Sequence, residues 1–268
     1  MIATVLGARG FIGSQLAKAL HARGIQCWLP ERGDPEIFKR PLGCVYYCIG
    51  LTADFRKRPY DTVDAHVGVL RQVLEWADFD RLVYLSSTRV YAGCPETKED
   101  QALTVTPYRS DDLYNLSKLM GESLALTSGR NCRIARLSNV VGPSMEPTNF
   151  LGALLAEARQ FGAIHFQSGL RSEKDYVWID DAVNGLIAVA EKGQRSIYNI
   201  AGGTNIRHEA IASLLAAKGI AISVEDQAPV VTFPAISIEK LMTETGFRPM
   251  PIMPKLTAWL NSELNLAT

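Results

Sequence analysis

The chain has 268 residues with 28 basic and 28 acidic side chains, so its formal net charge is zero. A balanced charge provides no long-range attraction for a phosphodiester backbone, and we therefore expect no nucleic-acid partner. Five cysteines without a CxxC pair predict reduced thiols. The N-terminus lacks the pattern of a signal peptide and no apolar segment has the length of a membrane span, which predicts a cytoplasmic protein with no membrane partner.

Apolar runs of strand length alternate with amphipathic segments of helix length through the first half of the chain. The predicted strands are Ile2–Leu6, Ile25–Leu29, Val45–Ile49, Leu82–Ser86 and Arg133–Leu137. The predicted helices are Phe11–Arg23, Tyr60–Ala77 and Asp112–Ser128. This alternation predicts an α/β fold with a Rossmann-type, doubly wound parallel sheet. Only ERGDPEIFKRPLG separates the second strand from the third, so we expect the sheet to be shortened at one edge.

The second half has a looser pattern and more prolines. Its predicted elements are a helix at Asn149–Phe161, strands at Ala163–Phe166 and Ser196–Ile200, and a helix at Arg207–Lys218. We interpret residues 1–147 as a dinucleotide-binding domain. Residues 148–268 form mostly a smaller, mixed α/β substrate-binding lobe, from which a segment at about 175–200 returns to the first domain.

A glycine motif, Gly7-Ala8-Arg9-Gly10-Phe11-Ile12-Gly13, lies between the first predicted strand and the first predicted helix. Glycines here permit a tight turn and close backbone approach to a pyrophosphate, and the helix N-terminus favours an anion. An ordinary strand-to-helix turn is the alternative. The residues predicted to contact the cofactor here are Gly7, Arg9, Gly10, Phe11, Ile12 and Gly13.

Glu31 and Arg32 lie roughly 20 residues beyond the motif, where an acidic residue contacts the ribose in dinucleotide-binding folds. A carboxylate accepts hydrogen bonds from ribose hydroxyls, whereas a guanidinium attracts a 2′-phosphate. We expect NAD because Glu31 follows the strand directly, with NADP as the alternative favoured by Arg32. The other interpretation is that both side chains are solvated charges in a loop.

Three side chains form a candidate catalytic set: Ser87, Tyr114 and Lys118. Ser87 follows an apolar strand, and Tyr114 and Lys118 are spaced to share one helix face. An ammonium beside a phenol favours the phenolate, so we expect Lys118 to lower the pKa of Tyr114. The preceding segment Ser110-Asp111-Asp112 predicts an N-cap. A YxxxK spacing also arises by chance on many helices.

Five motifs occur in order along the chain: GxxGFIG, SSTRVY, YNLSK, RLSNVVGP (136–143) and KDYVWIDDAV (174–183). Together they resemble the extended short-chain dehydrogenase/reductases, the NAD-dependent epimerase/dehydratase group that acts on nucleotide sugars. The resemblance implies catalysis by Ser87, Tyr114 and Lys118. It also implies that Tyr114 and Lys118 contact the cofactor. It places Cys48, Ile49 and Gly50 beside the cofactor and Asn139 near the substrate diphosphate. It also implies a homodimer formed through the helices at about 60–77 and 112–128.

Two departures from the family pattern affect the function. Thr88 and Arg89 occupy the positions of the acidic pair that expels water in the sugar dehydratases, so we do not expect dehydration and interpret both as substrate-binding. Lys174 stands where the family usually has an arginine that holds the nucleotide phosphates; it keeps the charge but not the bidentate geometry. Arg171 lies nearby and is a further candidate for this contact.

The remaining polar candidates have structural interpretations. His66 could reach the site from its helix, although a structural role there is the alternative. Asp180 and Asp181 begin a predicted helix and fit a capping role, so we expect no metal site. Three functions stay open: a nucleotide-sugar C4 epimerase, a nucleotide 4-keto-6-deoxysugar reductase that consumes NAD(P)H, and a dinucleotide-sensing protein without catalytic activity.

Overall fold

The computed structural model describes residues 2–52, 54–109, 111–145, 147 and 149–263. The strands of this described part, in chain order, are β1 (Ile2–Leu6), β2 (Gln26–Trp28), β3 (Cys44–Tyr47), β4 (Arg81–Ser87), β5 (Cys132–Leu137), β6 (Asn139–Val141), β7 (Ala163–Phe166), β8 (Glu173–Trp178), β9 (Ile197–Ile200), β10 (Asn205–Arg207) and β11 (Ala221–Val224). Its helices are α1 (Phe11–Ala22), α2 (Pro59–Val63), α3 (Val69–Trp76), α4 (Asp112–Thr127), α5 (Phe150–Phe161), α6 (Ile179–Lys192), α7 (His208–Ala216), α8 (Glu239–Thr245) and α9 (Ile252–Glu263).

A parallel sheet with the order β2-β1-β3-β4-β5-β9 forms the centre of the fold. Alternate residues of β4 face opposite sides: Val83 and Leu85 pack in one hydrophobic core, Leu82 and Tyr84 in the other. The first core includes residues of α1 and α6, and the second includes residues of α3 and α4. Burial on both faces explains the continuous apolar strands in the sequence and confirms the predicted fold class.

The sheet ends at β2, where a doubly wound sheet with the order 3-2-1-4-5-6 would continue with another strand. A single 3-10 helix, Pro35–Phe38, connects β2 to β3. Asp34 caps this helix by accepting a hydrogen bond from the Glu36 N–H, and Pro35 fits its first turn. The predicted shortening of one edge is therefore confirmed.

Two small sheets form the second part of the fold. One has the order β10-β8-β6 and the other pairs β11 with β7. β9 leaves this part and joins the large sheet beside β5. The sequence did not predict β6, β8, β10, β11, α8 or α9. The domain boundary at residue 148 remains a prediction, and that residue lies outside the described ones.

The helix predicted over Tyr60–Ala77 is three segments in the structure. α2 and α3 are separated by a π-helical turn, Asp64–Gly68, which points Ala65 and His66 into the protein. π-turns inside helices are frequent near functional sites. No helix in the described ranges has the length and apolar composition needed to cross a membrane.

Candidate active site

The glycine motif forms a tight turn between β1 and α1. Gly7 has a φ of +84°, and a Cβ there would lie 2.9 Å from the carbonyl carbon of Cys48. A Cβ on Gly13 would lie 2.3 Å from the Gly7 oxygen. Gly10 precedes α1 without a side-chain cap, so its first N–H groups keep their hydrogen-bonding capacity at the positive end of the helix dipole. The turn therefore fits a dinucleotide pyrophosphate.

The predicted ribose contact lies at the exposed rim of this turn. Glu31 pairs with Arg9 of the glycine motif, and both side chains are mostly exposed. Arg32 is exposed next to them. The structure thus places one carboxylate and two guanidinium groups at the edge of the sheet, and the carboxylate is already paired within the site.

The segment after β3 connects the glycine turn to the predicted catalytic residues. The Cys48 N–H donates to the Leu6 oxygen at 2.9 Å, which continues the sheet beside β1. A Cβ on Gly50 would lie 3.3 Å from His66 Nε2 and 3.4 Å from Lys118 Nζ. Glycine therefore allows this backbone to pass beside the ammonium group of Lys118.

Ser87, Tyr114 and Lys118 come together where β4 meets α4. Tyr114 and Lys118 lie on the inward face of α4, with 4% and 5% of their surfaces exposed. Lys118 Nζ donates to the Leu85 oxygen at 2.8 Å, two residues before Ser87. The Ser87 side chain lies next to the phenol of Tyr114. The juxtaposition predicted from sequence is present.

The electrostatics of this set differ from the prediction. Burial raises the pKa of Tyr114, while the Ser87 hydroxyl and the charge of Arg89 act in the opposite direction. Burial lowers the pKa of Lys118 to about 7, against the charge of Glu122. The expectation that Lys118 lowers the pKa of the phenol is wrong here, because desolvation dominates and the opposing cation is Arg89.

The N-cap prediction for α4 is confirmed in position but not in hydrogen bonding. Asp111 occupies the N-cap position but makes no capping hydrogen bond. Its carboxylate instead contacts Arg56 and Arg89. Asp112 accepts a hydrogen bond from the Thr106 N–H, and Ser110 lies outside the described residues.

Two further aromatic rings surround the phenol: that of Phe55, which the sequence did not assign to the site, and that of His66, which the sequence predicted could reach it. The rings of Phe55 and His66 each lie 5.4 Å from the Tyr114 ring, centroid to centroid. His66 Nε2 accepts the Leu51 N–H at 3.3 Å, so Nδ1 carries the proton and donates to Ser117 Oγ at 2.8 Å. Burial lowers the pKa of His66 to about 2, and the ring is neutral. The π-turn, invisible in the apolar periodicity, brings His66 here.

A buried ion pair lies beneath this set. Arg136 Nη2 is 2.7 Å from Glu122 Oε2, and each side chain is 4% exposed. Ser86 donates to Glu122, and Arg136 Nη1 donates to the Tyr91 hydroxyl at 2.8 Å. The network connects α4, the end of β4 and β5. It fixes the strand that carries Ser87 against the helix that carries Tyr114.

A second group of side chains lies toward the small sheets. Lys174 Nζ is 4.8 Å from the centre of the Phe150 ring, and His208 stacks on that ring at 4.5 Å. Burial, and then the positive charge of Arg89, lower the pKa of Lys174. Among the described residues, His208 Nε2 is buried without a hydrogen-bond partner. Phe150 and His208 carried no recognisable sequence signal.

The other predicted substrate contacts are less closely grouped. Thr88 is buried at the start of a 3-10 helix, Thr88–Tyr91. Asn139 is exposed, and its amide donates to the Asp175 oxygen at 2.8 Å. Arg171 is exposed in the loop before β8, and within the described ranges it makes no hydrogen bond or ion pair with another predicted site residue.

Comparisons with known proteins agree on the class of fold. The sequence model of the NAD dependent epimerase/dehydratase family matches residues 3–201. A dTDP-4-dehydro-6-deoxy-D-allose reductase from a Streptomyces species is 25% identical over 248 residues, or 75% of this chain and 76% of the relative. A dTDP-glucose 4,6-dehydratase from Streptomyces griseus is 27% identical over 153 residues, or 53% of this chain. That match spans about half of the dehydratase, 47% of its length.

A solved structure extends this likeness to nearly the whole fold. UDP-glucuronic acid 4-epimerase from Bacillus cereus, in complex with UDP-glucuronic acid and NAD, superposes with a TM-score of 0.81. The superposition covers 99% of this chain and 98% of that chain, at 20% sequence identity. Identity at this level shows a shared fold, while activity has to be argued from the site itself.

Proposed function

Because this chain belongs to the NAD dependent epimerase/dehydratase family, we propose that it oxidises and re-reduces C4 of a nucleotide-linked sugar, with C4 epimerisation as the net reaction. The family membership confirms the resemblance drawn from the five motifs, and NAD as the predicted cofactor. The observation that carries the proposal is the meeting of the buried Tyr114 and Lys118 with the half-buried Ser87, beside the segment after β3 that also packs against the glycine turn.

The proposed chemistry assigns one role to each side chain. When bound, NAD supplies reversible uptake of a hydride. Ser87 and Tyr114 hydrogen-bond the C4 oxygen, and Tyr114, in its phenolate form, takes the hydroxyl proton as C4 becomes a ketone. Tyr114 returns this proton when the ketone is reduced from its other face, which inverts C4. Hydride and proton are both returned, so no net oxidation occurs. Lys118 holds the nicotinamide ribose.

The second group of side chains supports a nucleotide-linked substrate. The Lys174 ammonium provides a positive charge for a diphosphate, and the half-buried Phe150 ring, which packs on the buried His208, provides an aromatic surface for a base. The curated reductase and dehydratase both act, by their names, on dTDP-linked sugars. Asn139 and Arg171 remain proposed contacts at the same end of the substrate.

The residues after Ser87 argue against dehydration. Removal of water across C5 and C6 needs an acid and a base beside the sugar, and Thr88 and Arg89 provide neither. The Asp111 carboxylate, which faces Arg89, is paired with Arg56 and Arg89. We therefore propose that the ketone formed at C4 is reduced again without loss of water.

A 4-ketoreductase is the second candidate. The curated reductase match extends over three quarters of this chain, and Arg9 and Arg32 at the rim offer charges for the 2′-phosphate of NADPH. Tyr114 would then donate a proton to the keto oxygen and NAD(P)H would be consumed once per turnover. This direction uses the protonated phenol, the form that burial favours.

The experiment that separates these candidates uses the purified full chain and a panel of UDP- and dTDP-linked hexoses and 4-keto-6-deoxyhexoses. C4 inversion detected by NMR, with no net change in NADH absorbance, supports the epimerase. Stoichiometric loss of NAD(P)H with a keto sugar contradicts it and supports the reductase. Formation of a 4-keto-6-deoxy product from a hexose would identify a dehydratase, and NAD binding without any turnover would support the sensing protein.

A homodimer remains a proposal supported by surface composition. α2 and α4 carry large apolar side chains that are exposed in the single chain: Tyr60, Val63, Met120 and Leu126. Pairing through these helices would cover them.

A further inference from the structure

Arg89 lies closer to the chemistry than a substrate contact alone requires. Its guanidinium carbon is 5.5 Å from the centre of the Tyr114 ring and 5.1 Å from the centre of the Phe55 ring. Its backbone N–H donates to Ser87 Oγ at 3.2 Å. Arg89 therefore contacts two members of the predicted catalytic set, one through its backbone and one through its side chain.

The guanidinium is held in this position by groups outside the catalytic set. Asp111 Oδ2 is 3.5 Å from Arg89 Nη2, while Asp111 Oδ1 accepts a hydrogen bond from Arg56 Nε at 2.6 Å. Phe55 is 1% exposed, and its ring contacts both guanidinium groups as well as the Tyr114 ring, 5.4 Å away between centroids. Because Asp111 and Phe55 both contact the Arg89 guanidinium, its position relative to Tyr114 is fixed.

We propose that Arg89 is a positioning residue that orients the phenol of Tyr114 and keeps a fixed positive charge beside it. This inference rests on the proposed role of Tyr114 as the acid and base at C4. A cation over an aromatic ring is attracted to it, and it stabilises a negative charge that develops on the phenol oxygen.

The other charged and titratable groups around Tyr114 do not provide this effect. His66 is neutral, Tyr84 is an uncharged phenol on β4, and Lys118 directs its ammonium to the Leu85 oxygen. Lys118 is also partly uncharged near neutrality, because burial lowers its pKa to about 7. Asp111 on the same side is compensated by Arg56. Arg89 is the cation that opposes the effect of burial on the Tyr114 pKa.

The test measures ionisation of Tyr114 directly in the NAD-bound full chain. Tyrosinate absorbance is titrated in the wild type and in Arg89→Met, and the Tyr114 contribution is identified by subtraction of the same titration in Tyr114→Phe. We expect Arg89→Met to raise the Tyr114 pKa by about one unit, the lower end of the effect of a neighbouring charge because Arg89 is partly exposed. Arg89→Lys should restore most of the shift.

Arg56→Met is the matched control. Arg56 binds the same carboxylate and lies 4.5 Å from the centre of the same Phe55 ring, but its guanidinium does not lie over Tyr114. Loss of Arg56 leaves the Asp111 carboxylate less compensated, so we expect a rise in the Tyr114 pKa that is clearly smaller than in Arg89→Met. Arg89→Gln provides a second neutral variant in case Arg89→Met does not fold.

The outcomes separate this inference from the proposed function. A raised Tyr114 pKa in both neutral variants, with rescue by lysine, supports the positioning role even if the substrate assignment fails, since the readout needs no turnover. An unchanged Tyr114 pKa with a raised KM for the nucleotide sugar overturns it and leaves Arg89 as a substrate contact. An equal shift in Arg56→Met also overturns it, because the effect would then come from general disruption of the loop.

Discussion

The two ends of the cofactor site differ in how their charges are held. At the glycine turn, Arg9 and Glu31 form an ion pair whose side chains are 81% and 65% exposed. At the chemical end, Lys118 and the Glu122–Arg136 pair are almost completely buried, and each has a protein partner. Exposed ion pairs contribute about 0–1 kcal/mol to stability, whereas loss of one partner of a buried pair costs about 3–5 kcal/mol.

This contrast separates two properties of the protein. Changes at the buried end should alter the chemistry or the fold, because nothing there can rearrange without leaving a polar group unpaired. Changes at the exposed rim should alter only the choice between similar cofactors. Substitutions at each end test whether this division holds.

The largest effect is expected from Tyr114→Phe at the buried end. Removal of the phenolic oxygen eliminates the proposed proton transfer, and general acid–base catalysis contributes typically about 10²–10⁴-fold to a rate. We expect kcat to fall by about 10³-fold, measured by NMR of the sugar product. NAD affinity, measured by calorimetry, should change little because the glycine turn is untouched. A variant that keeps most of its kcat would contradict the assigned role.

Arg136→Met should have the next largest effect, on stability. Methionine fills much of the same space but leaves Glu122 buried without its partner, so we expect a loss of about 3–5 kcal/mol in the free energy of unfolding. Urea denaturation of the wild type and the variant measures this loss. Arg9→Met is the control from the exposed rim, where a change of about 1 kcal/mol or less is expected. Equal losses in both variants would contradict the contrast between the two ends.

The pH dependence of kcat/KM should show an effect smaller than those two and larger than any change at the exposed rim. Because burial lowers the Lys118 pKa to about 7, the cationic form is lost as pH rises through that value. We expect kcat/KM, which reports the free enzyme, to fall above about pH 7. Glu122→Gln removes the charge that opposes burial, so the falling limb should move to lower pH. Glu75→Gln, in an exposed pair with Arg71, should leave the limb in place. A limb that stays fixed in Glu122→Gln would exclude Lys118 as its origin.

The sequence predicted those parts of the fold that depend on local periodicity. β1 and β7 have the predicted bounds, Ile2–Leu6 and Ala163–Phe166. Each is a mostly apolar segment bordered by glycine or by polar residues, which mark its ends in the sequence. β6 and β10 were missed because each has only three residues and, unlike β2, does not lie within a longer run that resembles a strand. Both strands are stabilised by pairing with β8, and the local sequence does not show which strand they pair with.

The candidate site shows the same limit. Spacing along one helix brought Tyr114 and Lys118 together, and the glycine pattern identified the turn. Sequence could not show how much a group is desolvated, so the predicted lowering of the Tyr114 pKa had the wrong sign. It could not show that Asp111 binds two arginines in place of the helix end, or that a π-turn points His66 at the phenol.

The smallest effect is expected at the exposed rim, from Glu31→Gln. Neutralising Glu31 removes the repulsion of a 2′-phosphate and releases Arg9 to attract it, while ribose hydroxyls lose a charged acceptor. We expect the ratio of NADP to NAD affinity to rise roughly fivefold, since exposed charges contribute about 1 kcal/mol. Calorimetric titration with both cofactors measures the ratio. Glu36→Gln, in an exposed pair with Lys39 on the same connection, should not change it. A rise of several hundredfold would mean that the bound cofactor buries this rim, and that the distinction between the two ends disappears in the complex.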